Sequence, residues 1–153
     1  SYSGIYRRFN LVFRSEQTIF MDDYAHHPKE LKASILSIKE LFPKKKITGI
    51  FQPHLYSRTR DFASDFAEVL SLLDELILLD IYPAREEPIE GVSSEMIFRN
   101  VKLENKTLCS RENLLSLLKD KHPEVLVTFG AGDIDKLVPL IKKQLMEQTN
   151  GNA

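Results

Sequence analysis

Residues 47–61 read ITGIFQPHLYSRTRD. The first five, Ile47 to Phe51, are a short β-branched and apolar run, the pattern of a strand buried on both faces. Gln52, Pro53, His54, Tyr56, Ser57, Arg58, Thr59 and Arg60 follow without a break. A stripe of Phe62, Phe66, Val69, Leu70 and Leu73 comes next at helical spacing, which predicts a helix from about Asp61. One strand-to-helix junction therefore concentrates charge and hydrogen-bonding groups, and the strand–turn–helix order decides the fold class.

The same alternation extends outward in both directions. Phe9–Phe13 and Thr18–Met21 read as two strands joined by the polar turn Arg14-Ser15-Glu16-Gln17. Pro28 opens a helix carrying Leu31, Ile35, Ile38 and Leu41 or Phe42, and Pro43 closes it. Lys44 to Lys46 form a charged loop. Downstream lie a buried strand at Leu76–Leu79, a loop from Tyr82 to Pro88, and a helix from Ser93 or Ser94 to about Val101. A short strand at Thr107–Cys109 and a helix with Leu114, Leu117 and Leu118 follow. Val125–Phe129 is a further strand, and Gly130-Ala131-Gly132 turns into a last helix with Leu137, Leu140, Ile141 and Leu145. This order predicts an α/β, Rossmann-like fold: a mostly parallel sheet with helices on both faces and an antiparallel N-terminal hairpin or edge strand. Ligands of such sheets bind beyond the carboxyl ends of the strands. That rule gathers Asp22 to Tyr24, His54 with Arg58, Asp80 with Tyr82 and Glu86, and Gly130 to Asp133.

Bulk properties exclude several classes. The chain has 153 residues, 42% hydrophobic and 28% charged, with a formal net charge of −1. One domain of this size buries roughly 68–70% of its unfolded surface and needs no staples. The charge balance gives no footprint for nucleic acid. Cys109 is the only cysteine, so neither an internal disulfide nor a cysteine-based zinc site is available. Its apolar context reads as packing. No apolar run approaches the roughly 18 residues of a membrane span, and Arg7, Arg8 and Asn10 interrupt any leader-like pattern.

Asp22-Asp23-Tyr24-Ala25-His26-His27-Pro28 sets two carboxylates, a phenol and two imidazoles before a helix N-terminus. Free helical N–H groups there favour an anion, while the acids and imidazoles bond sugar hydroxyls or move protons. A cap followed by a proline start is the plainer account. A metal is not expected, since adjacent imidazoles rarely point at one ion. At the next junction, Arg58 and Arg60 offer forks for a carboxylate or phosphate. A solvated turn capped by Ser57 or Thr59 and balanced by Asp61 accounts for it equally well. Gly130-Ala131-Gly132 lacks the third glycine of a dinucleotide fingerprint and alone reads as a tight turn, and there is no P-loop motif.

Taken in series, these motifs resemble the carboxy-terminal domain of the Mur ligases. Arg7-Arg8-Phe9 is similar to the family's RRF entry. Residues 22–28 are similar to DDYGHHP, and residues 51–61 to FQPHRYSRTRD. Tyr82-Pro83-Ala84-Arg85-Glu86 is similar to YPAGE, and residues 130–134 to GAGDI. Within the family the likeness is strongest to the member joining L-alanine to UDP-N-acetylmuramate.

The resemblance implies a three-domain cytoplasmic bacterial enzyme of peptidoglycan synthesis that uses ATP and Mg2+ and passes through an acyl phosphate. The magnesium ligands are expected in a central domain, the UDP-sugar site in a first domain, and neither in this chain. Residues 1–15 would be an interdomain linker and first strand, 16–147 the domain, and 148–153 a disordered tail. The resemblance places Arg8, Asp23 and Tyr24 on ATP, and His26, His54 and Arg58 on the incoming amino acid, with Arg58 on its carboxylate. His27, Arg60, Tyr82, Glu86 and Asp133 are further candidates. No catalytic residue is assigned to this segment, no nucleic acid or membrane partner is implied, and the segment alone is expected to be inactive.

Two positions depart from the pattern. Ala25 stands for a glycine, and Leu55 for an arginine that helps to grip the amino acid. The second keeps open a sibling ligase that attaches a whole peptide. A non-catalytic nucleotide-binding module is the rival of another class, and the RRF entry speaks against it.

Overall fold

The computed structural model describes residues 10–151. The RRF element, and with it Arg8, lies outside the described residues. The strands are β1 (Asn10–Arg14), β2 (Ile19–Asp23), β3 (Ile47–Phe51), β4 (Glu75–Leu78), β5 (Lys106–Leu108) and β6 (Val125–Phe129). They form one six-stranded sheet in the order β1-β2-β6-β3-β4-β5. The β1–β2 pair is an antiparallel hairpin at the edge, and every other pairing is parallel. The fold class read from the sequence is the one observed.

The helices are α1 (Pro28–Leu41), α2 (Tyr56–Leu70), the single turn α3 (Glu95–Phe98), α4 (Leu114–Leu118) and α5 (Val138–Gly151). Successive strand side chains point to opposite faces, so each central strand feeds two cores. On one face Met21, Phe51, Val127 and Phe129 pack with Leu31, Ile35, Phe66, Leu70 and Ile97 from α1, α2 and α3. On the other, Phe20, Ile50, Ile77 and Leu126 pack with Leu114, Leu118, Ile141 and Leu145 from α4 and α5. The parallel strands β3, β4 and β6 are buried along their whole length, as their largely apolar sequences demand, with Thr48, Glu75 and Thr128 buried among them.

Several strand ends shift by one or two residues from the reading, and three helix boundaries differ further. The helix expected from Asp61 starts five residues earlier, at Tyr56. Its first turn is polar because it faces the strand ends rather than the core. The apolar stripe begins where the helix bends, at Phe62 (φ −122°, ψ 19°). The helix expected to reach Val101 is only α3, and turns bonded from Asn100 to Ile97 and from Val101 to Phe98 complete the segment. At the C-terminus α5 runs through residues 148–151, where a disordered tail was expected. Side-chain amides hold it: Gln144 donates to the Leu115 carbonyl and Gln148 to that of Lys119, both at 2.9 Å. Among the described residues, no helix is long and apolar enough to cross a membrane.

Candidate active site

The carboxyl ends of β2, β3, β4 and β6 bring four loops together. The β3 and β4 exits run side by side: Tyr82 N–H donates to the Pro53 carbonyl at 2.8 Å, and Leu55 N–H to the Tyr82 carbonyl at 2.9 Å. His54 and Tyr82 form a parallel bridge there, and their rings meet edge-on at 5.6 Å. The β2–α1 loop closes the other side. His26 lies 5.2 Å from Tyr24, 4.7 Å from His27 and 5.9 Å from His54, measured between ring centres. Three imidazoles and two phenols thus share one end of the sheet.

Local chemistry fixes this loop. Pro28 supplies the preset first helical φ. Glu30 Oε1 accepts from the N–H groups of His26 and His27 at 3.2 and 3.1 Å, the reciprocal half of a capping box. Burial pushes the Glu30 carboxyl up, but these two N–H groups and the neighbouring imidazoles outweigh it and leave it below its ordinary value. His26 Nδ1 lies 3.0 Å from the Tyr24 carbonyl, an acceptor that fixes that nitrogen as the protonated one.

The buried groups without partners point to a ligand. His54 Nδ1 and Arg58 Nη1 have no hydrogen-bond partner, although neither atom is solvent-accessible. A buried donor left unpaired costs about 1–3 kcal/mol, and more when charged. Such atoms are rare in folded proteins unless a ligand, water or ion completes them. Burial, the Arg58 charge and His26 hold the His54 imidazole below its ordinary value, with Glu86 opposing. Burial and the same arginine depress His27. Arg58 is therefore a cation beside two imidazoles, His27 and His54, that resist protonation, and is ready for a carboxylate or phosphate.

The remaining candidates are placed less centrally. Arg60 is exposed and paired with its neighbour Asp61 at 2.9 Å. Asp23, expected at a ribose, is wholly buried, and its Oδ1 accepts from Ala25 N–H at 2.8 Å. Asp22 receives Thr128 Oγ1–H at 2.7 Å. Asp133 accepts from Gln52 Nε2 and from Arg111 Nη1, both at 2.7 Å. Glu86 accepts from Ser57 N–H at 3.0 Å and also receives the Ser57 hydroxyl. The sequence reading gave no role to Gln52 or Arg111. Gln52 was legible as a polar side chain at the end of an apolar strand, whereas nothing local marks Arg111.

The turn after β6 is built by close approach. Gly130 has φ +150°, a conformation that L side chains rarely adopt. A Cβ on Gly132 would stand 2.6 Å from Gln52 Oε1 and from the Tyr82 ring. This glycine-rich segment serves packing between three strand ends.

For metal, His26, His27 and Glu30 each offer a ligand atom within 4.8 Å of the others. Glu30 Oε1 is already engaged by two N–H groups, so the trio acts first as a cap. Cys109 is half-buried, and burial with the nearby Asp80 raises its thiol, which suits packing rather than nucleophilic chemistry. A groove of about 640 Å³ between α1 and α2 includes His27 with Lys32, Phe62 and Leu72, but neither His54 nor Arg58. The unpaired polar atoms, not this apolar groove, mark the chemistry.

The family model described as "Mur ligase, glutamate ligase domain" matches residues 7–133. Among curated proteins, the UDP-N-acetylmuramate–L-alanine ligase of Parabacteroides distasonis is 58% identical over 148 residues, covering 97% of this chain and 32% of that protein. The ligase of the same name from Phocaeicola vulgatus is 54% identical, covering 92% of this chain and 31% of its own length. The chain thus spans about a third of the length of these relatives. Among solved structures, the UDP-N-acetylmuramate-alanine ligase of Thermotoga maritima superposes with a TM-score of 0.75 at 26% identity, over 93% of this chain and 30% of that one. A murein peptide ligase from Psychrobacter arcticus shares the fold, with a TM-score of 0.71 at 16% identity over 91% of this chain and 30% of its own.

Proposed function

The chain belongs to the Mur ligase family, and from that premise we propose that it is the part of an ATP-dependent ligase that presents L-alanine to activated UDP-N-acetylmuramate. The proposed reaction runs in the cytoplasm during peptidoglycan synthesis. The muramate carboxylate takes the γ-phosphate of ATP to give an acyl phosphate. The amine of L-alanine attacks the acyl carbon, the C–N bond forms and phosphate leaves. The P-loop, the magnesium ligands and the UDP-sugar site are assigned to parts of the whole enzyme beyond these residues.

One observation carries the reading: the buried, unpartnered Arg58 Nη1 and His54 Nδ1 at the carboxyl end of β3. A substrate carboxylate completes Arg58, and the imidazoles of His54 and His26 face its amine. Tyr24 and Arg8 are proposed for the nucleotide side. Asp23 serves there by bracing, through Ala25, the bend that presents Tyr24. Closing this surface over the acyl phosphate orders the attack and excludes water. Leu55 leaves Arg58 as the principal cation of the clamp. The whole-peptide alternative is not favoured, since relatives 58% and 54% identical are alanine ligases.

The test uses the complete ligase containing this chain. Phosphate release is measured with ATP, UDP-N-acetylmuramate and a panel of amino acids and peptides. L-alanine is expected to be preferred. Arg58→Ala is expected to lower kcat/KM for it about 10²-fold, the equivalent of losing a charge-assisted clamp of about 2–3 kcal/mol. A silent Arg58→Ala overturns the clamp, and preference for a peptide overturns the substrate. The 153 residues alone are expected to show no ligation.

A further inference from the structure

The first turn of α2 has no cap of its own. Leu55 occupies the N-cap position, where its side chain offers no acceptor, and it sits at φ 74°, ψ 136°. Its carbonyl accepts from both the N–H and the hydroxyl of Thr59. The capping role is filled from the β4 exit loop, 29 residues away in sequence. There Glu86 takes Ser57 N–H on one oxygen and the Ser57 hydroxyl on the other. The same loop is tied to the turn a second time by the bond from Leu55 N–H to the Tyr82 carbonyl. It is braced internally by Glu86 N–H on the Pro83 carbonyl at 2.9 Å and by Ala84 at φ 53°.

We propose that Glu86 is a positioning residue of the amino-acid site: its carboxylate occupies the N–H groups at the start of α2 and so directs the substrate carboxylate to Arg58. This rests on the reading of Arg58 and His54 given above. The two ties, Leu55 to Tyr82 and Ser57 to Glu86, straddle the chain between His54 and Arg58. They hold the backbone between His54 and Arg58 against the β4 exit. A free helix N-terminus would compete for a substrate anion. With Glu86 seated there, a second carboxylate meets like charge at those N–H groups and opposite charge at Arg58. The Ser57 hydroxyl and N–H also hold the Glu86 carboxyl below its ordinary value, so the charge persists through the neutral range.

The experiment compares Glu86→Ala, Glu86→Gln and Arg58→Ala in the complete ligase, with KM measured separately for L-alanine, ATP and UDP-N-acetylmuramate. Glu86→Ala is expected to raise KM for L-alanine about 10-fold, the scale of one lost charge-assisted contact. The other two KM values and kcat should stay within about 2-fold. Glu86→Gln keeps one carbonyl acceptor for Ser57 N–H but not the charge, and is expected to recover only part of the loss. A Glu86→Ala enzyme in which all three KM values worsen together overturns the inference in favour of a general structural cap. An unchanged KM for L-alanine in Glu86→Ala, while Arg58→Ala raises it, overturns the inference alone. If neither variant moves it, the clamp reading falls with it.

Discussion

Gln52→Ala should unfasten the turn after β6, and its cost can be worked from the contacts. Gln52 is 3% exposed. Its amide nitrogen donates to Asp133 Oδ1 at 2.7 Å, and its carbonyl accepts Ile134 N–H at 3.1 Å. The first bond is charge-assisted, worth about 1.5–3 kcal/mol. Losing the second orphans a buried N–H, at about 1–3 kcal/mol. The deleted methylene adds about 0.8 kcal/mol. Arg111 still holds the other oxygen of Asp133 at 2.7 Å and recovers part of the first term. With about half of the first term recovered, the sum is about 3–5 kcal/mol, a large part of the roughly 5–15 kcal/mol that a domain has in total. Urea unfolding of the 153-residue chain, followed by circular dichroism, should show a lower midpoint at unchanged slope. The melting temperature should fall by roughly 6–20 °C. Gln52→Glu gives a sharper check. It retains an acceptor for Ile134 but sets a second carboxylate against Asp133, so it should be at least as unstable at neutral pH and recover as acid protonates the pair. A loss below about 1 kcal/mol for Gln52→Ala, or a Gln52→Glu chain as stable as wild type at pH 7, would refute the reasoning.

The pH profile of stability should show two separate windows. Unfolded imidazoles, at the ordinary value of 6.5, bind protons that folded His27 and His54 resist. Stability is therefore full above about 6.5 and declines as pH falls from there through the folded values. Glu30 and Glu86 are held below the ordinary 4.5, so their contribution is present above that value and lost as pH falls through the folded ones. The double variant His27→Gln, His54→Gln should flatten the upper window, and an unaltered profile would sink the assignment. At the opposite ends of the strands, the Glu75 carboxylate receives Lys121 Nζ at 2.6 Å and the Thr48 hydroxyl at 3.2 Å, with Lys46 at 3.8 Å. Lys121→Met should cost about 1–3 kcal/mol, discounted because Lys121 is partly exposed. In the complete ligase it should leave KM for L-alanine unchanged, and a shift there would show that the two ends of the sheet are coupled.

The parts legible in the sequence are those set by local pattern. Ile47–Phe51 and Val125–Phe129 were read to the residue because strands buried on both faces need unbroken apolar runs. Pro28 fixed the start of α1 for a covalent reason. The start of α2 was not legible, since its first turn buries no apolar stripe and takes its cap from 29 residues away. The same division holds at the site. His54 and Arg58 could be grouped because they follow a strand end in chain order, where the architecture forces convergence, whereas the amino-acid role proposed for them and for His26 came from the family resemblance. The roles of Glu86, Gln52 and Asp133 depend on pairing between loops, which no window of sequence contains. Asp23 shows the same dependence: its burial at the end of β2 and its bond from Ala25 N–H follow from how the loop folds back, which the sequence alone does not state.

This division also explains why the two ends of the sheet differ in chemistry. At the amino ends, Glu75 is buried and its charge is answered by Lys121, Lys46 and Thr48. At the carboxyl ends, Arg58 and His54 keep buried atoms without partners, each at a cost of about 1–3 kcal/mol to the folded chain. A domain selected for stability alone would pair them, and the acceptor is at hand: Glu86 lies on the adjacent loop. It is instead committed to Ser57. That carboxylate is spent on a helix end, and in the proposed reading the cation is left for the carboxylate of the substrate.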